Sequence, residues 1–328
     1  MGASIAKCPQ CQAPLTPPSR FARSVVCEYC GASVQLDPSV VSASRYREAL
    51  KQWNDPSRFG FTSWTTIGGS HWTLGETIAR GDSCDVLRAD RARKPGERVL
   101  IKVVRESAGE VRLNHERDIL RSVRADLQIG SFDSRIPEPI VSGSVQGGSY
   151  EGQLALVLRW APGFHHTFEG IRAAAPSGVE PIVSIWMWRR LLEMLAFLHR
   201  RGLAHGALIP SHVLVEEGDH GIRLVGYGSA GELGAPLRMP TSHFGAFYPA
   251  GKTLSAAVDV CMSARCIAYV LGGDPLPAQV PEPLRSLIQR VASAPDDAID
   301  PWQLREEVGA LARTIFGAPS FHPFVMPH

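Results

Sequence analysis

A chain of 328 residues with 44% apolar side chains allows one large or two to three ordinary domains, and its Ala-, Arg-, Gly- and Pro-biased composition is that of a soluble globular protein from a GC-rich bacterial genome. Thirty-four basic against thirty-two acidic residues leave a formal charge of +2, which offers no argument for bulk nucleic-acid or membrane-surface binding. The most apolar helical stretch, Ile182 to His199, is interrupted by Arg189, Arg190 and Glu193, and the N-terminus has no signal-peptide pattern, so no membrane span and a cytoplasmic location are expected.

Residues 1–36 hold four of the seven cysteines, as Cys8-Pro9-Gln10-Cys11 and Cys27-Glu28-Tyr29-Cys30-Gly31, with fifteen residues between the pairs. Two C-x-x-C pairs at this spacing supply four thiolates, the donor set that tetrahedral zinc favours; the competing reading is redox-active dithiols. In a reducing compartment paired cysteines point to metal, not disulfides. Gly31 suits the tight turn after the second pair. So short a segment cannot bury enough apolar surface to fold alone. A closed, structural zinc ribbon with Cys8, Cys11, Cys27 and Cys30 as ligands is therefore expected. The local charge, Lys7, Arg20 and Arg23 against Glu28, is too slight to indicate nucleic acid. Residues 37–70 read as a connector. It contains a helix over Ser42 to Trp53, a strand over Phe61 to Thr66 and a turn at Gly68-Gly69.

From residue 71 the pattern first favours strands: Trp72 to Ala79, Asp85 to Asp90 and Val99 to Val104, with Lys94-Pro95-Gly96-Glu97 as a turn. A helix follows, carrying Val111, Ile119, Leu120 and Val123 on its apolar side, and then extended segments over Ile140 to Val145 and Leu154 to Leu158. After Ala161-Pro162-Gly163 the chain turns helical, at Pro181 to Arg201, Val258 to Leu271, Pro283 to Ala292 and Pro301 to Phe316. Strands first and helices after predict an α+β arrangement of two lobes, a β-rich small lobe over 71–160 and a helical large lobe over 161–317. The tail, 318–328, contains Pro and His and reads as loose.

Five segments within these lobes carry a shared signature. Ile78-Ala79-Arg80-Gly81-Asp82-Ser83-Cys84-Asp85-Val86 is a loop with one glycine, Gly81. Val99-Leu100-Ile101-Lys102 is followed, fourteen residues after the lysine, by Glu116 in a helix. Leu156 to Gly163 reads as a strand and hinge ahead of the long helix Ile185 to Arg201. His205-Gly206-Ala207-Leu208-Ile209-Pro210-Ser211-His212-Val213-Leu214-Val215 and Leu224-Val225-Gly226-Tyr227-Gly228 complete the set. In order and spacing, from Trp72 to Phe316 and over about three quarters of the chain, they resemble the eukaryotic-type protein kinase family.

That resemblance implies a phosphate-binding lysine at Lys102 with Glu116 as its partner, and a glycine-rich nucleotide loop of which only Gly81 remains, Ala79 and Cys84 replacing the others. Leu100 stands where the family has a small residue against the adenine ring. The chemistry departs further in the two loops. Ala207 replaces the aspartate that orients and deprotonates the substrate hydroxyl, Ile209 replaces a lysine, and His212 replaces the asparagine that holds magnesium. Gly226 replaces the metal-binding aspartate, while Tyr227, Gly228, His205 and Asp259 keep structural positions, Asp259 as a cap on the loop backbone. Tyr248-Pro249-Ala250 and Asp300 stand where the family pairs a glutamate with a buried arginine, so both partners of that pair are replaced.

The resemblance implies a catalytically inactive pseudokinase that acts through protein partners, without magnesium and with ATP binding in doubt. A nucleotide-binding switch using Lys102, Glu116 and Gly81 is the first alternative. An atypical serine/threonine-type kinase or other transferase in the same cleft, with His205 or His212 as base, is the second.

Overall fold

The computed structural model describes residues 8–9, 13, 15, 24–28, 30–35, 63–92, 97–125, 130–217, 220–237, 244–249, 253–293, 299–322 and 324–326. Cys11, the helix expected over Ser42 to Trp53, the turn residues Lys94, Pro95 and Gly96, and Ala250 lie outside the described residues.

Near the N-terminus β1 (Ser24–Val26) and β2 (Ser33–Gln35) form a hairpin in the register Ser24↔Gln35. The small lobe is one antiparallel sheet of six strands. They are β3 (Ser63–Ile67), β4 (Ser70–Arg80), β5 (Cys84–Arg91), β6 (Arg98–Val104), β7 (Pro139–Ser144) and β8 (Leu154–Arg159), in the order β3-β4-β5-β6-β8-β7. Gly68 and Gly69, at φ 55° and 74°, form the two-residue turn between β3 and β4, a backbone sense that favours glycine. The strand read into the connector is therefore part of the small-lobe sheet, since β3 pairs with β4 throughout its length.

Alternation in β6 divides its side chains. Val99, Ile101 and Val103 are buried in the outer small-lobe core with Trp72 and Leu87. Leu100 and Lys102 fall on the opposite face, where Leu100 packs against the larger core that continues into the helical lobe. Helix α1 (Glu110–Arg124) lies between β6 and β7 in the chain. It buries Leu113, Glu116, Leu120 and Val123, a stripe at spacings of three and four. Val111, expected on that stripe, is 72% exposed, because it stands two positions before Leu113 and so on another side of the helix.

The large lobe opens with β9 (Phe164–Thr167) and α2 (Phe168–Ala174), whose first turn is capped by Thr167 Oγ1 accepting from Gly170 N at 2.9 Å. Helix α3 (Pro181–His199) is its centre, buried on nearly every side. After β10 (Leu203–Ala204) come β11 (Val213–Glu216) and β12 (Gly221–Leu224), which with β9 make a three-stranded sheet. β13 (Gly231–Glu232) pairs back with β10. Helices α4 (Ala256–Val270), α5 (Glu282–Ala292) and α6 (Pro301–Phe316) follow, and α3 packs against α4 and α6. Asp300, expected at a lost ion pair, is exposed and caps α6 by accepting from Gln303 N at 2.9 Å.

The tail is not loose. Phe324 is buried, the carbonyl of His322 accepts from His220 Nε2 at 2.6 Å, and Phe321 stacks on the His220 ring at 4.2 Å. Its two phenylalanines supply the apolar surface that its Pro and His content conceals. No helix among the described residues is long and apolar enough to cross a membrane.

Candidate functional site

Helix α1, which follows β6, packs on the loop 225–230, which in turn lies against the loop 205–213. On the small-lobe side Lys102 Nζ donates to Glu116 Oε2 at 2.5 Å, tying β6 to α1, the pairing that the resemblance implies. Burial would lower the lysine's pKa, but the Glu116 carboxylate outweighs it and holds the ammonium above its ordinary 10.5.

The loop that follows β4 is a tight turn: Gly81 N donates to Cys84 O at 2.8 Å. Arg105, just past β6, clamps it. Its guanidinium reaches the carbonyls of Gly81 at 2.7 Å and Asp82 at 2.6 Å and the carboxylate of Asp85 at 2.8 Å. A Cβ on Gly81 would meet nothing nearer than Cys84 O at 3.6 Å, so no close approach demands glycine here. Cys84 is buried, and desolvation raises its thiol pKa despite nearby Lys102.

On the large-lobe side Asp259 lies buried at the start of α4 and accepts three hydrogen bonds: from His205 N at 2.7 Å, Gly206 N at 2.9 Å and His199 Nε2 at 2.9 Å. Burial pushes its pKa up, but those donors outweigh it and hold it below the ordinary 3.8. The loop is thus fixed by its backbone. Gly206 takes φ 67°, and a Cβ there would press within 2.7 Å of Ser229 O. His205 uses both ring nitrogens, Nε2 donating to Val225 O at 3.1 Å and Nδ1 accepting from Ala207 N at 3.4 Å, and packs edge-on against Tyr227.

His212 Nδ1 donates to Ala207 O at 2.8 Å, and its ring faces Gly226. A Cβ on Gly226, at φ 80°, would stand 2.5 Å from His212 Cε1 and 2.6 Å from each ring nitrogen. Burial, with His205 adding to it, drives the His212 pKa down to about 3, so the ring is neutral. Helix α1 closes the arrangement: Arg112 Nη2 donates to Ser229 Oγ at 2.7 Å and His115 Nε2 to Ala230 O at 2.6 Å.

A second site lies at the N-terminus. The thiols of Cys8, Cys27 and Cys30 lie within 4.8 Å of one another and could hold a metal ion. Cys8 Sγ and Cys30 Sγ are 3.7 Å apart, close to the ~3.8 Å that tetrahedral coordination with zinc–sulfur bonds of ~2.3 Å requires. Each cysteine turn is closed by the same bond, Cys8 N to Ala13 O at 2.8 Å and Cys27 N to Ala32 O at 2.7 Å.

No family profile matches the chain, and no curated protein matches it by sequence. Solved structures do match. A rhoptry kinase from Toxoplasma gondii superposes with a TM-score of 0.58 at 16% identity, covering 77% of this chain and 85% of that one. The kinase domain of PF14_0431 superposes with a TM-score of 0.50 at 16% identity, covering 66% and 68%. The fold is protein-kinase-like.

Lys102 pairs with Glu116 between β6 and α1, while Ala207, His212 and Gly226 pack together in the loops of the large lobe, near enough for the Lys102 charge to act on His212. The fold also recruits residues with no local signal in the sequence. His199 reaches Asp259 across sixty positions. Glu193, a charge inside an otherwise apolar helix, is buried and bound by Arg190, Arg135 and Arg305, which outweigh desolvation and hold its pKa below the ordinary 4.5. Such a charge in an apolar run is the signal that a buried partner exists. Where Tyr248-Pro249 ends its loop, Arg265 donates to the carbonyls of Ala246 and Phe247, both at 3.3 Å, and to Ala292 O at 3.1 Å.

The kinase-like fold also carries the cysteine turns on its large lobe. Arg190 Nη1 donates to Pro9 O at 2.8 Å in the first turn. Gly31 of the second turn lies against Phe321 of the tail, with the site of its Cβ 3.1 Å from Phe321 Cβ.

Proposed function

We propose that this chain is a pseudokinase: a kinase-like fold without phosphoryl-transfer chemistry, acting as a regulatory or scaffolding protein through protein–protein contacts. The observation that carries this reading is the packing of His212 on Gly226. If these positions correspond to the family's two metal-ligand positions, one has no side chain and the other a neutral imidazole buried against it. Magnesium is a hard cation that takes oxygen ligands. Ala207 has no group to accept the proton of a substrate hydroxyl or to orient it. Phosphoryl transfer depends on positioning and charge neutralisation, and these residues supply neither.

The retained contacts, Asp259 on the loop backbone and His205 on Tyr227, support a fold kept for its shape. Histidine-based catalysis is disfavoured, since His205 has both ring nitrogens engaged and His212 is too weakly basic to take a proton near neutral pH. The Lys102–Glu116 pair favours a second reading, a metal-independent nucleotide switch. Against it stand Leu100 on the cleft face and the Arg105 clamp on the turn at Gly81.

The cysteine turns are read as a structural zinc ribbon, with Cys8, Cys27, Cys30 and Cys11 as ligands. Zinc there would supply folding energy and leave no open position for chemistry.

Incubation of the purified protein with γ-labelled ATP, magnesium or manganese, and generic protein substrates tests the main reading. No incorporation above that of a Lys102→Ala control is expected. Lys102-dependent labelling would overturn it.

A further inference from the structure

Elsewhere, helices α3 and α6, the second cysteine turn and the tail line a half-open cavity of about 120 Å³. At 10–15 Å³ for each water-sized occupant, it has room for roughly ten non-hydrogen atoms. Its described lining brings three guanidinium groups, Arg189, Arg190 and Arg313, and not one carboxylate.

These arginines are not equivalent. Arg190 is committed to Glu193 and to Pro9 O. Arg189 lies across Gly309, whose missing Cβ leaves room for it at 3.3 Å from Cζ and Nε, and its buried Nε has no hydrogen-bond partner. Trp186 Nε1, also in the lining, is a second buried donor without an acceptor. Among the described residues the surrounding charge does not balance. Glu193 and Glu306 serve Arg135, Arg190 and Arg305, leaving two carboxylates for three guanidiniums before Arg189 is counted. Burial, with Arg305 adding to it, lowers the Arg189 pKa from its ordinary 12.5. A partly buried cation that shares Glu193 and Glu306 with three other arginines is under-compensated, and an anion entering the cavity would offset that.

Ile185, Phe316 and Phe321 give the remaining lining an apolar part, beside His220, Ser320 and His322. The roof is latched. His220, kept neutral by burial with its pKa lowered to about 4, is stacked between Trp186 and Phe321 at 4.2 Å from each. We propose that this cavity binds a small organic carboxylate with an apolar body, its charge met by Arg189 and Arg313 and its body by Ile185 and Phe316.

The test uses the full chain and sodium benzoate as the probe. Sodium acetate, inorganic phosphate and sodium chloride at matched ionic strength are the comparisons, read by calorimetric titration and thermal unfolding. Benzoate is expected to bind and raise the unfolding temperature beyond acetate, phosphate or chloride. Arg313 is exposed, so Arg313→Gln should fold normally and weaken benzoate about tenfold, the loss of one charge-assisted contact. Arg189→Gln should abolish binding and Arg189→Lys restore part of it. Benzoate acting no better than chloride, or equally on wild type and Arg313→Gln, would overturn the proposal. Phosphate matching benzoate would overturn the carboxylate assignment.

Discussion

The imidazole of His212 occupies the space in which residue 226 would carry a side chain, and the two residues are therefore coupled: histidine fits because 226 is glycine. An acidic side chain at 226 and the present ring at 212 exclude each other. Changing either residue alone is consequently not a neutral change.

Gly226→Asp should cost about 2–4 kcal/mol, from overpacking against His212 and from a side chain at φ 80°. The double change Gly226→Asp/His212→Asn should be at least ~1 kcal/mol more stable than the sum of the single effects, the mark of residues in contact. Urea unfolding of the three variants measures this.

Acid should weaken the fold from pH 6.5 downward. His205, His212 and His220 are all held neutral by burial, the last two with pKa values lowered to about 3 and about 4. The unfolded chain protonates near 6.5 and binds more protons than the native one, so stability falls as pH drops from 6.5 toward those folded values. Each histidine contributes up to ~1.4 kcal/mol per pH unit within its window. Below pH 4 the depressed Asp259 and Glu193 add their own loss as they protonate. In His212→Asn the decline between pH 6 and 4 should be shallower, as followed by chemical unfolding at stepped pH.

Glu116→Leu leaves Lys102 in the cleft without its counter-charge and should cost about 3–5 kcal/mol. Lys102→Met/Glu116→Leu should recover most of that cost. From pH 7 up to the ordinary lysine value of 10.5 the pair's contribution should hold, and it should fade as pH rises through the raised folded value. Denaturant midpoints from pH 7 to 11 check both statements.

Metal removal should be felt beyond the ribbon, because its first turn is held by Arg190 and its second lies on Phe321. Chelation, or Cys11→Ser, should release one zinc per chain. It should also speed amide exchange in β1, β2 and the tail around Phe324. Exchange confined to the ribbon would show an independent module instead.

Much of the fold was legible because its determinants are local. The sequence places a helix at Pro301 to Phe316, the bounds of α6, and the apolar run Val99 to Val104 marks β6. The pairing of Lys102 with Glu116 was legible only through the resemblance of their segments to the kinase family. What escaped depends on contacts distant in sequence. Nothing near His199 points to Asp259, nothing near Arg190 points to Pro9, and Gly226 reads as a lost ligand until the ring of His212 is found against it. The packed tail was hidden because Pro and His content outvoted Phe321 and Phe324, whose apolar area decides the outcome.

The central claim is most directly tested by thermal unfolding with ATP, each sample run with and without magnesium. A ligand present at a hundred times its dissociation constant adds about 2.7 kcal/mol, a readily measured shift. The account predicts no magnesium-dependent stabilisation, whether or not nucleotide alone has an effect. A shift that appears only with magnesium would contradict it, because the cleft would then hold the metal that His212 and Gly226 are argued to exclude.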